Sequence, residues 1–147
     1  MSDVHIVPGD QLTTVELYGI WKIRDVVFAY EQRCDEPDVD DLDLLPTTTH
    51  LWFADEQGPT SYLRFLTHDE PWRLGRVCTR REVRGQGLSG RLLHAAHERW
   101  GHRPIKIGAQ AHLERWYGSF GYVTCGDHYE EAGIDHVPML RPASPSP

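Results

Sequence analysis

The segment from Val77 to Leu93, Val-Cys-Thr-Arg-Arg-Glu-Val-Arg-Gly-Gln-Gly-Leu-Ser-Gly-Arg-Leu-Leu, most limits what this chain can fold into. A β-capable run at Arg76 to Thr79 gives way to charge, then to a glycine-rich turn, then to a helical pattern beginning at Leu88. That order is strand, loop, helix start. The glycines let backbone N–H groups point inward at an anion, because no Cβ blocks its approach and positive φ costs them little. The first turn of the helix adds unpaired N–H donors and the positive end of its dipole. This is a phosphate cradle in outline, although a glycine turn between strand and helix also serves as a plain connection. It is not a P-loop, since no Gly-Lys-Ser/Thr follows. Gly85, Gly87 and Gly90 match G-x-G-x-x-G, but the loop follows three basic residues and lies mid-chain, unlike a dinucleotide fingerprint.

With 147 residues the chain is long enough for one domain with a real core and short for two. The expected limits are one domain over residues 1–141 and a disordered Pro/Ser tail over residues 142–147. A net charge of −7 argues against nucleic acid, whose backbone needs a basic surface, and fits a cationic substrate better. No run approaches a membrane helix, and Met1-Ser2-Asp3-Val4 carries no signal-peptide pattern, so the expectation is a cytoplasmic protein without membrane contact. Cys34, Cys78 and Cys125 are odd in number and widely spaced, and the histidines show no ligand spacing; neither disulfides nor a metal site are expected.

Thr13 and Glu16 have capping-box spacing, so a helix is predicted from there to about Gln32. Leu17, Trp21, Arg24, Phe28 and Glu31 advance by four and three and share a face. Arg24 and Glu31 on that face are either an ion pair at the core edge, or Glu31 lines an acceptor site and Arg24 orients it. The acidic stretch Cys34 to Asp43 reads as a solvated loop or as a lid whose carboxylates attract an amine. His50 to Ala54 and Ser61 to Thr67 read as a β-hairpin, followed by a strand at about Trp72 to Thr79. The helix from Leu88 to about Trp100 leads through Ile105 to Ala109 into a β-α-β crossover of right hand. Gln110 to Phe120 has helical spacing and ends at Gly121; Tyr122 to Cys125 and His136 to Leu140 close the domain as strands.

Arg84-Gly85-Gln86-Gly87-Leu88-Ser89 resembles the Q/R-x-x-G-x-G/A loop of the GCN5-related N-acetyltransferases, the GNAT superfamily, which wraps the pyrophosphate of acetyl-coenzyme A. Ser89 stands where that family usually has Gly or Ala. Tyr117-Gly118-Ser119-Phe120-Gly121-Tyr122 is similar to the Y-x-x-x-G-F/Y ending of the family's helix after the fifth strand. Lys22-Ile23-Arg24, Glu31-Gln32, Thr49-His50-Leu51-Trp52, Ala109-Gln110-Ala111-His112-Leu113 and Gly133-Ile134 extend the resemblance to the ElaA-like branch, over about residues 12 to 142. Where that branch often reads C-P-Y-x-x-x-D, this chain has Cys34-Asp35-Glu36-Pro37, so its acceptor-side loop differs.

The resemblance implies an α/β (α+β) fold: a mixed, mostly antiparallel sheet flanked by helices around a central β-α-β acyl-CoA-binding unit. It implies acetyl-CoA as cosubstrate and an amine as acceptor. The backbone of Val77, Cys78 and Thr79 would pair with pantetheine, the amides of Arg84, Gly85, Gln86, Gly87, Leu88 and Ser89 would hold the pyrophosphate, and Gln110 would bond the pantetheine arm or its own helix start. The N–H of Cys78 or Thr79 would meet the oxyanion. Tyr117 would protonate the leaving thiolate; a phenol is protonated at neutral pH. For the base, Glu31 comes first, then His112 and His136, which with Arg24 are the candidates on the acceptor side. Cys78 as nucleophile is disfavoured, since no activating histidine is read near it. Two rivals stand beside an N-acetyltransferase: a non-catalytic acyl-CoA binder and a nucleotide binder using the same loop. Monomer and homodimer both remain possible readings.

Overall fold

The computed structural model describes residues 3–145; Met1 and Ser2, and Ser146 and Pro147 of the expected tail, lie outside the described residues. Strands β1 (His5–Pro8), β2 (Thr48–Asp55), β3 (Gly58–Leu66), β4 (Trp72–Thr79), β5 (Ile105–Gln110), β6 (Val123–Thr124), β7 (Tyr129–Glu131) and β8 (Ile134–Arg141) form one sheet. Its order is β1-β2-β3-β4-β5-β8-β6, with β7 also on β8. Among the described residues only β4 and β5 run parallel, which follows from the crossover through helix α2 (Leu88–Trp100). The mixed, mostly antiparallel sheet is as expected.

Alternation in β2 and β3 divides the core. Leu51, Phe53, Leu63 and Phe65 face α2, where Leu92, Leu93 and Ala96 are buried against them. Trp52 and Tyr62 face the other way, toward Ile20, Ile23 and Val27. Helix α1 (Thr14–Arg24) begins at a complete capping box: the Thr13 hydroxyl accepts from the Glu16 N–H at 3.1 Å, and Glu16 returns the bond at 2.9 Å.

After Arg24 the helix widens into a π segment, Asp25–Glu31. The expected five-residue stripe therefore does not form one buried face. An i→i+5 turn takes more residues than an α turn, so the steps from Arg24 to Glu31 no longer close two full turns. Arg24 points into the core while Glu31 turns away. Two strands have no counterpart in the sequence pattern. β1 falls in what reads as a polar lead-in, and β7 in the stretch before the last strand. The helix expected over Gln110 to Phe120 is shorter, a 3₁₀ turn at Ala111–Leu113 and then α3 (Glu114–Gly118). Gly121 follows at φ +96, the left-handed residue expected there. Of the tail, Ser144 donates its N–H to the Gly101 carbonyl at 2.7 Å.

Candidate active site

Strands β4 and β5 pair only at Trp72↔Ile105 and Arg73↔Lys106. Beyond that point each keeps its other neighbour: β4 stays on β3 as far as Ser61↔Thr79, and β5 stays on β8 as far as Gln110↔His136. The two strands therefore splay. Between its pairs with Tyr62 and Arg64, β4 carries one extra residue, a bulge that includes the left-handed Arg76 at φ +52 and bends β4 away. The edge of Val77, Cys78 and Thr79 that faces β5 is left without a strand partner, which backbone donors and acceptors do not tolerate when dry. A cleft of about 960 Å³ opens along this gap, walled by α1 and the π segment on one side and by β7 on the other.

The glycine loop lies where β4 ends. Gly85 and Gly87 take φ +83 and +75, and no atom lies within 4 Å of where a Cβ would stand on either. Gly87 caps α2 without a side-chain bond, so the first-turn N–H groups of Leu88 and Ser89 have no intrahelical partner and point out of the helix start. The exposed Gln86 lies between the two glycines. The Ser89 hydroxyl is 2.7 Å from that of Thr79, which is 2.8 Å from Ser61 Oγ. The serine thus ties the helix start to β4 and β3 by its side chain and keeps its amide free.

Arg84 Nε donates to the Thr79 carbonyl at 2.8 Å, and its Nη2 pairs with the Glu31 carboxylate. Glu31 is accordingly beside the glycine loop and is not among the residues that line the cleft. The expected orienting of Glu31 by Arg24 is corrected for the same reason. Arg24 is completely buried and donates through Nε to Asp38 and through Nη1 to Asp43, both at 2.7 Å. The reading of the acidic loop is corrected in part with it: Asp38, Asp40 and Asp43 are paired with arginines, while Asp35, Glu36 and Asp41 are exposed. Arg64 donates to Asp40 at 2.9 Å and to Asp43 at 3.0 Å, and Arg76 reaches the Asp38 carbonyl at 3.0 Å. Three arginines and three aspartates clamp the loop to the cleft floor.

Of the remaining candidates, Gln110 lines the cleft and donates to Gln32 Oε1 at 2.9 Å. His112 is exposed at the cleft's edge. His136 is buried in the cleft wall, with Nδ1 2.7 Å from the Ile134 carbonyl. Tyr117 is buried with its ring edge-on to Trp116 and Tyr122, it lines the cleft, and its hydroxyl has no hydrogen-bond partner among the described residues. Burial, with Cys78 nearby, pushes its phenol up, so it stays protonated. The Cys78 thiol is also pushed far up by burial, which suits packing and not nucleophilic attack. Arg64, Asp40 and Asp43 were not singled out from the sequence. An arginine between Leu63 and Phe65 in a run of buried strand residues was the readable sign of a buried ion pair.

A family model described as an acetyltransferase (GNAT) domain matches residues 41–141. The chain belongs to the GNAT family. Within it, the chain falls in the ElaA-like branch: it is 36% identical to the protein ElaA of Escherichia coli over 149 residues, covering 95% of this chain and 94% of that protein. It is 44% identical to a UPF0039 protein of Mycobacterium tuberculosis over 133 residues, covering 87% and 85% of the two. In structure it is similar to an acyl-CoA N-acyltransferase from Pseudomonas aeruginosa, at a TM-score of 0.88 and 36% identity over 96% of this chain and 99% of that one. The splayed strands and the glycine loop are thus carried on a GNAT acyl-CoA N-acyltransferase fold.

Proposed function

We propose that this GNAT protein transfers an acetyl group from acetyl-CoA to a primary amine by direct attack within a ternary complex. The observation that carries the reading is the splay: an unpartnered strand edge at Val77–Thr79 runs from the free N–H groups of the glycine loop into a cleft walled by Tyr117. Pantetheine fits that edge as an added strand, with the pyrophosphate on the amides from Arg84 to Ser89. The thioester then lies beside the N–H of Cys78 or Thr79, which meets the oxyanion as the amine adds. Holding both reactants in one cleft supplies proximity. When the carbon–sulfur bond breaks, the sulfur leaves with the electron pair and takes the Tyr117 proton.

Calorimetric titration with acetyl-CoA, followed by thiol release against a panel of amines, tests the reading. Binding with amine-dependent release is expected. Tyr117→Phe should then lower kcat about a hundredfold, as loss of a general acid does, with the acetyl-CoA Kd unchanged. Binding without release from any amine would point to a non-catalytic binder.

A further inference from the structure

We infer that His136 is the base that takes the proton from the acceptor amine, with Glu131 beside it to receive that amine as a cation. The inference rests on the N-acetyltransferase reading and assigns the proton transfer that it leaves open.

A carbonyl oxygen accepts and never donates, so the 2.7 Å contact between His136 Nδ1 and the Ile134 carbonyl places the ring hydrogen on Nδ1. In the neutral ring Nε2 then carries the lone pair. Nε2 makes no hydrogen bond among the described residues, and Glu131 Oε2 stands 3.7 Å from it, beyond bonding distance but close enough to act on its charge. The ring is held in place by Tyr129, stacked at 5.6 Å between centroids and 26° between planes. Tyr129 in turn lies over Gly108, where a Cβ would come within 2.3 Å of its hydroxyl.

The ring lies in the cleft that the splay opens: β5 continues past the last β4 pair to Gln110, which pairs with His136, and Val77, Gln110 and His136 line the same cleft. The base therefore stands across the splay from the strand edge that takes pantetheine. The other candidates lack this placement. Glu31 is held by Arg84 away from the cleft, and His112 is exposed, with no hydrogen bond to fix its ring among the described residues.

In the step itself, the amine nitrogen adds to the thioester carbon and the carbonyl pair moves to oxygen. The nitrogen's extra proton passes to His136 Nε2, leaving its electrons on nitrogen. Collapse then expels the thiolate, which is protonated by Tyr117. The imidazolium faces Glu131 until it loses its proton to water. An amine that arrives as ammonium is drawn by Glu131 and gives its first proton to Nε2, which passes it to water before attack, so that the ring is neutral again when the nitrogen gives up its second. The titratable groups set against the ring are Tyr129 and Glu131 on β7, and His112, on the turn after β5, lines the same cleft.

His136→Asn tests this, because the asparagine amide can still donate to the Ile134 carbonyl but is no base. Its acetyl-CoA Kd should equal that of wild type, while kcat/KM for the amine at pH 7 falls about a hundredfold. The deficit should shrink as pH rises toward about 10, where alkylammonium groups lose their proton unaided. Glu131→Gln, at a largely exposed side chain, provides a second test: KM for the amine should rise several-fold, more than kcat falls. A deficit that is the same at every pH, or none, together with an unmoved KM in Glu131→Gln, would overturn the assignment while the enzyme reading stands. Wild-type protein that binds acetyl-CoA and releases no thiol with any amine would overturn both.

Discussion

The Asp43 carboxylate ties α1 and β3 to the acidic loop. Its carboxylate accepts from Trp21 Nε1 at 3.0 Å, from Arg24 at 2.7 Å and from Arg64 at 3.0 Å. Its carbonyl accepts from His50 Nε2 at 2.8 Å, which leaves His50 Nδ1 to accept from the Tyr62 hydroxyl at 2.7 Å. Burial by itself would raise the carboxyl, but the bond and charge of Arg24, with Trp21 and Arg64, outweigh it and hold the group at about 2. An unfolded aspartate titrates near 3.9. A depressed folded value stabilises the fold above roughly pH 4, and that contribution is lost as pH falls through the window toward about 2. Asp43→Asn should therefore cost about 3 kcal/mol in urea unfolding at pH 7, since it leaves two buried guanidinium groups short of charge. The variant should also lose less stability than wild type between pH 4 and 2. Equal acid slopes in the two proteins would show that Asp43 is not the group responsible. In the sequence only Arg64, an arginine between two apolar strand residues, signals a buried ion pair; Asp43 itself is one of several acids in a run that reads as a solvated loop or a lid.

At the scale of elements, legibility followed local signals. Helix α2 was read from Leu88 to Trp100 because a left-handed glycine starts it, Gly101 ends it, and an apolar stripe runs between. The π segment was not, because Asp25 to Glu31 carries a spacing that an α-helix would also satisfy. β7 was missed because Tyr129, Glu130 and Glu131 are all exposed, so no alternation marks them. The strand, loop and helix that would hold the pyrophosphate were plain, but the reason for Ser89 was not. Its hydroxyl serves the Thr79–Ser61 chain, so Ser89→Ala should lower stability by about 1 kcal/mol, the net value of one such bond. If the backbone amide is the donor to the pyrophosphate, the acetyl-CoA Kd should stay where it was. Weaker binding in calorimetry, with stability unchanged, would instead put the hydroxyl on the phosphate.

For the molecule as a whole, the decisive feature is a gap, and a gap has no sequence signature of its own. It arises because β4 is committed to β3 and β5 to β8, and the two commitments diverge after Arg73. The fold thus keeps a strand edge free inside its own sheet, a liability unless something extended fills it. If acetyl-CoA fills it, the ligand bonds only the folded state and stabilises it by mass action, about 2.7 kcal/mol at a hundred times its Kd. For a chain of this length each kcal/mol moves the midpoint by roughly 2–4 °C, so Tm should rise by about 5–10 °C. Coenzyme A should act similarly, because the pantetheine strand and the pyrophosphate are common to both. ATP and NAD, which offer phosphates to the loop but no strand to the gap, should raise Tm far less at equal concentration. An equal shift with NAD or ATP would mean that the glycine loop alone does the binding and that the splay between β4 and β5 takes no part in it.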